Sequence, residues 1–149
     1  MNTVKMKWAL TAIVCSTLFF SCKKDPVTPP VPDCSINMTN LSGAYKLTAL
    51  QYKRDAAAPV VNYLDFMDAC EKDDIVTLKS NGTYHYNDAG TVCTPNGSND
   101  GTWSVNGNTI NSDGTVNGTI SSYDCKTLVY YAENVNLPGD KFTFTMVKQ

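Results

Sequence analysis

The chain has 149 residues of which 42% are hydrophobic, a size and composition that suit one domain around one core. Its formal charge of −2 excludes a strongly basic, nucleic-acid-binding protein. Glycine, asparagine, threonine and tyrosine are prominent while long runs of Ala, Leu, Glu and Lys are missing, so the composition reads as all-β.

The first 21 residues have the anatomy of an export signal. Lys5 and Lys7 supply positive charge, Trp8 to Phe20 form a 13-residue apolar stretch, and Ser21-Cys22 close it. That stretch is shorter than the roughly 20 residues a membrane-spanning helix needs. Leu18-Phe19-Phe20-Ser21-Cys22 resembles the lipobox of bacterial lipoproteins, in which a small residue precedes a cysteine that is acylated and becomes the new N-terminus. The resemblance implies cleavage before Cys22, lipidation there (palmitate), and residence in the bacterial cell envelope as an outer-membrane lipoprotein, periplasmic or surface-facing. Removing residues 1–21 leaves 10 basic and 14 acidic side chains, without a basic patch for a phosphate backbone or an anionic lipid surface. The N-terminal lipid is then the expected membrane contact.

Residues 22–33 carry four prolines and are expected to be an extended stalk, leaving 34–149 as the folded domain. Ala44 to Lys53 alternates with Tyr45, Leu47 and Ala49 on one side. In the following connection Tyr63 to Cys70 is compatible with a short helix capping one end of the fold. Asp74 to Lys79 and Thr83 to Asp88 flank Ser80-Asn81-Gly82, a hairpin signal. A three-residue loop puts Leu78 opposite Tyr84 and Val76 opposite Tyr86, keeping one apolar face, and leaves His85 and Lys79 outside. Thr102 to Val105 and Asn108 to Ile110 flank Asn106-Gly107, read as a two-residue turn with Trp103 opposite Ile110. Val116 to Tyr123, Lys126 to Glu133 and Lys141 to Val147 complete eight strands, the last two offering Leu128, Tyr130, Phe142, Phe144 and Met146 inward. Such a succession suits an eight-stranded up-and-down antiparallel barrel, with a two-sheet sandwich as the competing closure.

Four cysteines remain after the signal and Cys22 are set aside, and their spacing has no C-x-x-C for a zinc or thioredoxin-like site. In an oxidising compartment four imply two disulfides. The hairpin register brings position 70 opposite 92, so Cys70 pairs with Cys93, and Cys34 with Cys125 by elimination.

Leu41-Ser42-Gly43-Ala44-Tyr45-Lys46-Leu47, Cys70-Glu71-Lys72-Asp73-Asp74-Ile75, Leu78-Lys79-Ser80-Asn81-Gly82-Thr83-Tyr84, Cys93 and Gly101-Thr102-Trp103 before Gly107-Asn108 together resemble the lipocalin-like domain of Bacteroidota-type envelope lipoproteins. The likeness runs from about Leu41 to Met146. Tyr45 stands where the wider lipocalin pattern has a first-strand tryptophan, and no arginine near the C-terminus is available to stack on it. The resemblance implies a barrel whose interior takes a small apolar molecule.

Tyr45, Leu78, Tyr84, Tyr86, Trp103, Tyr130, Phe142 and Phe144 are the candidate ligand-lining residues, a packed core being the alternative. Several inward tyrosine hydroxyls speak against a dry core, since each buried hydroxyl wants a partner. No catalytic residue, metal or cofactor is expected. His85 has no serine motif or free cysteine beside it. The cluster Asp68, Glu71, Asp73 and Asp74 fits no calcium loop, and Asn96, Ser98 and Asp100 lack the closing glutamate because Gly107 occupies its position. Two non-enzymatic functions follow for an expected monomer. One is a carrier or sensor of a small apolar ligand. The other is a surface module with a filled core that meets an envelope protein or polysaccharide through its loops. A lumen filled with side chains favours the second, and a tyrosine-lined pocket of about 300 Å³ or more, open at one end, the first.

Overall fold

The computed structural model describes residues 32–114 and 116–149; the signal segment 1–21, Cys22 and the linker through residue 31 lie outside the described residues. A four-residue helix α1 (Met38–Leu41) leads into β1 (Gly43–Lys53), followed by β2 (Val61–Asn62) and a 3-10 turn (Tyr63–Phe66). Then come β3 (Ile75–Leu78), β4 (Thr83–Asn87), β5 (Asn99–Asn106), β6 (Thr109–Ser112), β7 (Val116–Tyr123), β8 (Thr127–Glu133) and β9 (Lys141–Lys148). Strands β3 to β9 pair with their chain neighbours, and β1 pairs with both β3 and β9. The result is a closed eight-stranded antiparallel barrel; β2 is a ninth strand added to the end of β1 through Gln51 and Tyr52. Closure removes free edges from the barrel strands, which the competing sandwich would have kept.

The first hairpin has the expected register, Val76 opposite Tyr86 and Leu78 opposite Tyr84. Its three-residue loop is closed by Gly82 at φ +86°, where a side chain would be strained. The second hairpin corrects the sequence reading. Its loop is Gly107-Asn108, so Trp103 faces Ser112 and Val105 faces Ile110. The positive φ, +56°, falls on Gly107 as the first loop residue, the position a type II′ turn gives to glycine. The slip is two residues, so Trp103 and Ile110 still share the inner face.

Two irregularities shift that alternation elsewhere. In β1 the pairing jumps across Thr48, so Leu50 and Tyr52, rather than Ala49, continue the inward row begun by Tyr45 and Leu47. In β7 the jump across Ser121 turns Tyr123 inward beside Leu128. The expected helix over Tyr63 to Cys70 is one 3-10 turn, and α1 has no counterpart in the sequence reading.

One end of the barrel is plugged by α1. Asn37 caps it by accepting from the Asn40 amide at 2.8 Å, and Leu41 is fully buried in the core with Tyr45, Leu78, Trp103, Ile120, Leu128 and Met146. Tyr45 Oη donates to the Leu41 carbonyl at 2.8 Å, and Lys148 Nζ donates to the Asn40 carbonyl at 2.7 Å and to Tyr123 Oη at 2.8 Å. Lys148 Nζ also lies 5.6 Å from the Tyr45 ring centroid. This lysine supplies the cation that no arginine is placed to supply. The Cys34–Cys125 disulfide ties the segment before α1 to the β7–β8 turn, and Cys70–Cys93 ties the connection before β3 to the loop after β4.

Candidate functional site

The inward row is not evenly filled. Towards the end opposite α1, Phe142 packs against Tyr52 with ring centroids 4.7 Å apart and against Tyr63 at 5.2 Å. Leu50 and Ala132 are buried in the same strands, so this part of the lumen is occupied by side chains. Nearer α1 a cavity of about 240 Å³ remains. Six of the eight expected lining residues, Tyr45, Leu78, Tyr84, Tyr86, Trp103 and Tyr130, border it. Phe142 and Phe144 do not. Phe144 lies behind Tyr130, its ring stacked at 4.8 Å and 6°, so that the pair partitions the hollow part of the barrel from the filled part.

Val76, Ile110, Asn111, Ser112, Gly118, Leu128 and Met146 complete the wall. Alternation signals most of these, because they stand two residues from, or opposite, an inward position. Nothing in the sequence signals Gly118.

Two glycines keep the lumen open. An added Cβ at Gly118 would stand 2.9 Å from Tyr130 Cδ2, so the Tyr130 ring lies flat across β7 where a side chain would otherwise be. At Gly101 an added Cβ would stand 2.5 Å from Cε1 and Cζ of Tyr84, which pairs with it across the β4–β5 ladder. Each ring covers a glycine on a neighbouring strand and is thereby laid against the wall instead of into the cavity.

The polar groups of the wall are almost all engaged. Tyr84 Oη donates to Asp113 Oδ2 at 2.6 Å, Tyr86 Oη donates to Asp74 Oδ2, and Trp103 Nε1 donates to the Lys79 carbonyl at 2.9 Å. Burial, reinforced by its bond to Asp74, pushes the Tyr86 hydroxyl pKa up; the bond to Asp113, reinforced by burial, does the same at Tyr84. Tyr130 differs. Burial alone pushes its hydroxyl up to about 12, and it has no hydrogen-bond partner among the described residues. Tyr130 is half-buried, its oxygen is not among the wholly buried unpartnered atoms, and its ring borders the cavity.

The other sequence candidates lead away from chemistry. His85 Nδ1 lies 3.0 Å from Asp100 Oδ1 on the outer face. The acidic cluster serves the local backbone: Asp74 accepts from the Ala89 amide at 3.1 Å, Asp73 from Thr91 at 2.9 Å, and Glu71 from Asp68 at 2.9 Å. Asn96 accepts from the Ser98 amide at 2.8 Å, as a turn residue does. Among the described residues no group of three or more His, Cys, Asp or Glu side chains is placed to hold a metal ion.

A closed eight-stranded antiparallel barrel, plugged at one end and hollow behind the plug, is the architecture whose interior either fills with side chains or has room for one small molecule. Residues 41–144 match the lipocalin-like domain family, and the chain belongs to that family. The fold of that family supports a ligand-binding type of module, and the family is generally non-catalytic. No curated protein matches the chain.

Proposed function

We propose that this protein is an envelope lipoprotein, tethered through Cys22, whose barrel carries a small apolar molecule. The cavity of about 240 Å³, walled by aromatic and aliphatic side chains, is the observation that carries the reading. It falls short of the roughly 300 Å³ set above as the mark of a ligand pocket, but exceeds the roughly 150 Å³ that accepts a benzene ring. The cargo is therefore small, of the order of two fused rings. A core packed solid, as the surface-module reading requires, has no place for such a space beside glycines that hold two aromatic rings aside. The tether is supported by the signal anatomy of residues 1–21, the Leu18 to Cys22 segment and the proline-rich linker.

Native mass spectrometry of protein purified from its own host tests the cargo. A retained species of low mass, released on unfolding, is the expected result. A mass equal to the acylated polypeptide alone, together with no uptake of added two-ring hydrocarbons, would leave the surface module as the reading. For the tether, Cys22→Ala should move the protein from the membrane to the soluble fraction, and unchanged membrane partition refutes it.

A further inference from the structure

We infer that the cavity selects a neutral two-ring or similarly compact ligand bearing one hydrogen-bond acceptor, which receives the Tyr130 hydroxyl proton. This rests on the ligand-carrier reading above and adds the polarity and charge of the cargo.

Four polar side-chain groups around the cavity are already engaged. Tyr45, Tyr84, Tyr86 and Trp103 each donate to a carbonyl or carboxylate of the protein. Tyr130 Oη, by contrast, has no hydrogen-bond partner among the described residues and sits on a half-buried ring that lines the hollow. Its donor is therefore free for an acceptor that a ligand in the cavity supplies. The hydroxyl stays protonated throughout the physiological range, because burial holds its pKa near 12. It therefore acts as a donor to a carbonyl or ether oxygen.

Charge is selected against on two counts. Among the described residues no Lys, Arg, His, Asp or Glu side chain lines the cavity, so an ionised ligand would lack a counterion in the wall. Two carboxylates, Asp74 and Asp113, are bonded to the wall residues Tyr86 and Tyr84, and they repel an approaching anion.

The chain carrying Cys22→Ala, a substitution outside the barrel residues, is titrated by calorimetry with three two-ring probes: 1-tetralone, tetralin and 2-naphthoate. The ketone should bind about five- to tenfold more tightly than the hydrocarbon, the return on one neutral hydrogen bond. The carboxylate should bind at least tenfold more weakly than the ketone at neutral pH. Tyr130→Phe should abolish the preference for the ketone, bringing the ratio of ketone to tetralin affinity to about one. A wild-type protein that binds ketone and hydrocarbon equally overturns the role of Tyr130 whatever the variant does, and so does a preference that survives Tyr130→Phe. Naphthoate binding as tight as the ketone's overturns the selection for neutrality. Binding of none of the three overturns the carrier reading itself, and this inference with it.

Discussion

Gly118→Ala separates the stability of the barrel from the openness of its cavity. Gly118 has ordinary strand φ, so alanine meets no backbone strain, and loss of glycine's freedom in the unfolded chain favours the variant by about 0.4–1 kcal/mol. Against this, the new methyl stands 2.9 Å from Tyr130 Cδ2 and 3.1 Å from Ile110 Cγ2, contacts that require the ring to give by a few tenths of an ångström. In a filled core such overpacking costs about 1–3 kcal/mol. Here Tyr130 borders empty space and can move into it. The two effects should leave the variant within about 1 kcal/mol of the wild type in urea unfolding followed by Trp103 fluorescence. The displaced ring intrudes on a cavity of only about 240 Å³, so tetralin affinity should fall at least tenfold, about 1.4 kcal/mol. Gly101→Ala is the contrast. Its methyl would stand 2.5 Å from two Tyr84 ring atoms and collide with Asp113 Oδ1, so it must displace the ring and break the Tyr84–Asp113 bond. It should be destabilised by about 1–3 kcal/mol. If Gly118→Ala binds tetralin as the wild type does, the glycine is not what keeps the cavity open and the reasoning fails.

Trp103 is 4% exposed and anchored through Nε1 to the Lys79 carbonyl, so Trp103→Ala should lower stability by about 3–5 kcal/mol; a midpoint equal to wild type would remove it from the core. Replacing Cys70 and Cys93 together by serine releases a cross-link between residues 23 apart and should cost about 3 kcal/mol by loop entropy, read from the same urea curves. Burial opposes ionisation of Asp140, yet the amides of Asn136, Val135 and Leu137 together hold its carboxyl below the ordinary 3.8. The stability it contributes is therefore full above that value and lost as pH falls through the lower, folded one. Asp140→Asn should be less stable at neutral pH and show a shallower acid loss, and an unchanged acid limb would contradict the assignment.

How far the sequence carries depends on what each feature is made of. Period-two alternation with loop chemistry was enough to place Leu78 opposite Tyr84 and, through that register, Cys70 beside Cys93. Even where the β5–β6 loop was misplaced, the slip was an even number of residues, so Trp103 kept its face. Bulges break this logic because one extra residue reverses parity without a composition signal. Thr48 and Ser121 look like ordinary strand residues, and only the pairing shows that Leu50, Tyr52 and Tyr123 turn inward beyond them. The plug was invisible for another reason. Four helical residues are too few to show a period, and α1 is held by Tyr45, Tyr123 and Lys148, two of them far away in sequence.

The site shows the same division. Its aromatic wall could be listed from alternation, but whether aromatic residues fill a lumen or frame it depends on what stands beside each ring. An eight-stranded barrel is just wide enough for inward side chains to decide between the two. Tyr52, Phe142 and Phe144 have large neighbours and close their part of the lumen, whereas Tyr84 and Tyr130 have glycines beside them and leave theirs open. The stacked pair Tyr130 and Phe144 therefore bounds the cavity on one side, while Tyr45, Leu78, Leu128 and Met146, packed in one cluster with Leu41, border it on another. A long acyl chain would have to displace that stack and lose the packing of Phe144 against Phe142 behind it. A compact ring system would leave that stack in place and would meet in Tyr130 a hydroxyl without a hydrogen-bond partner among the described residues.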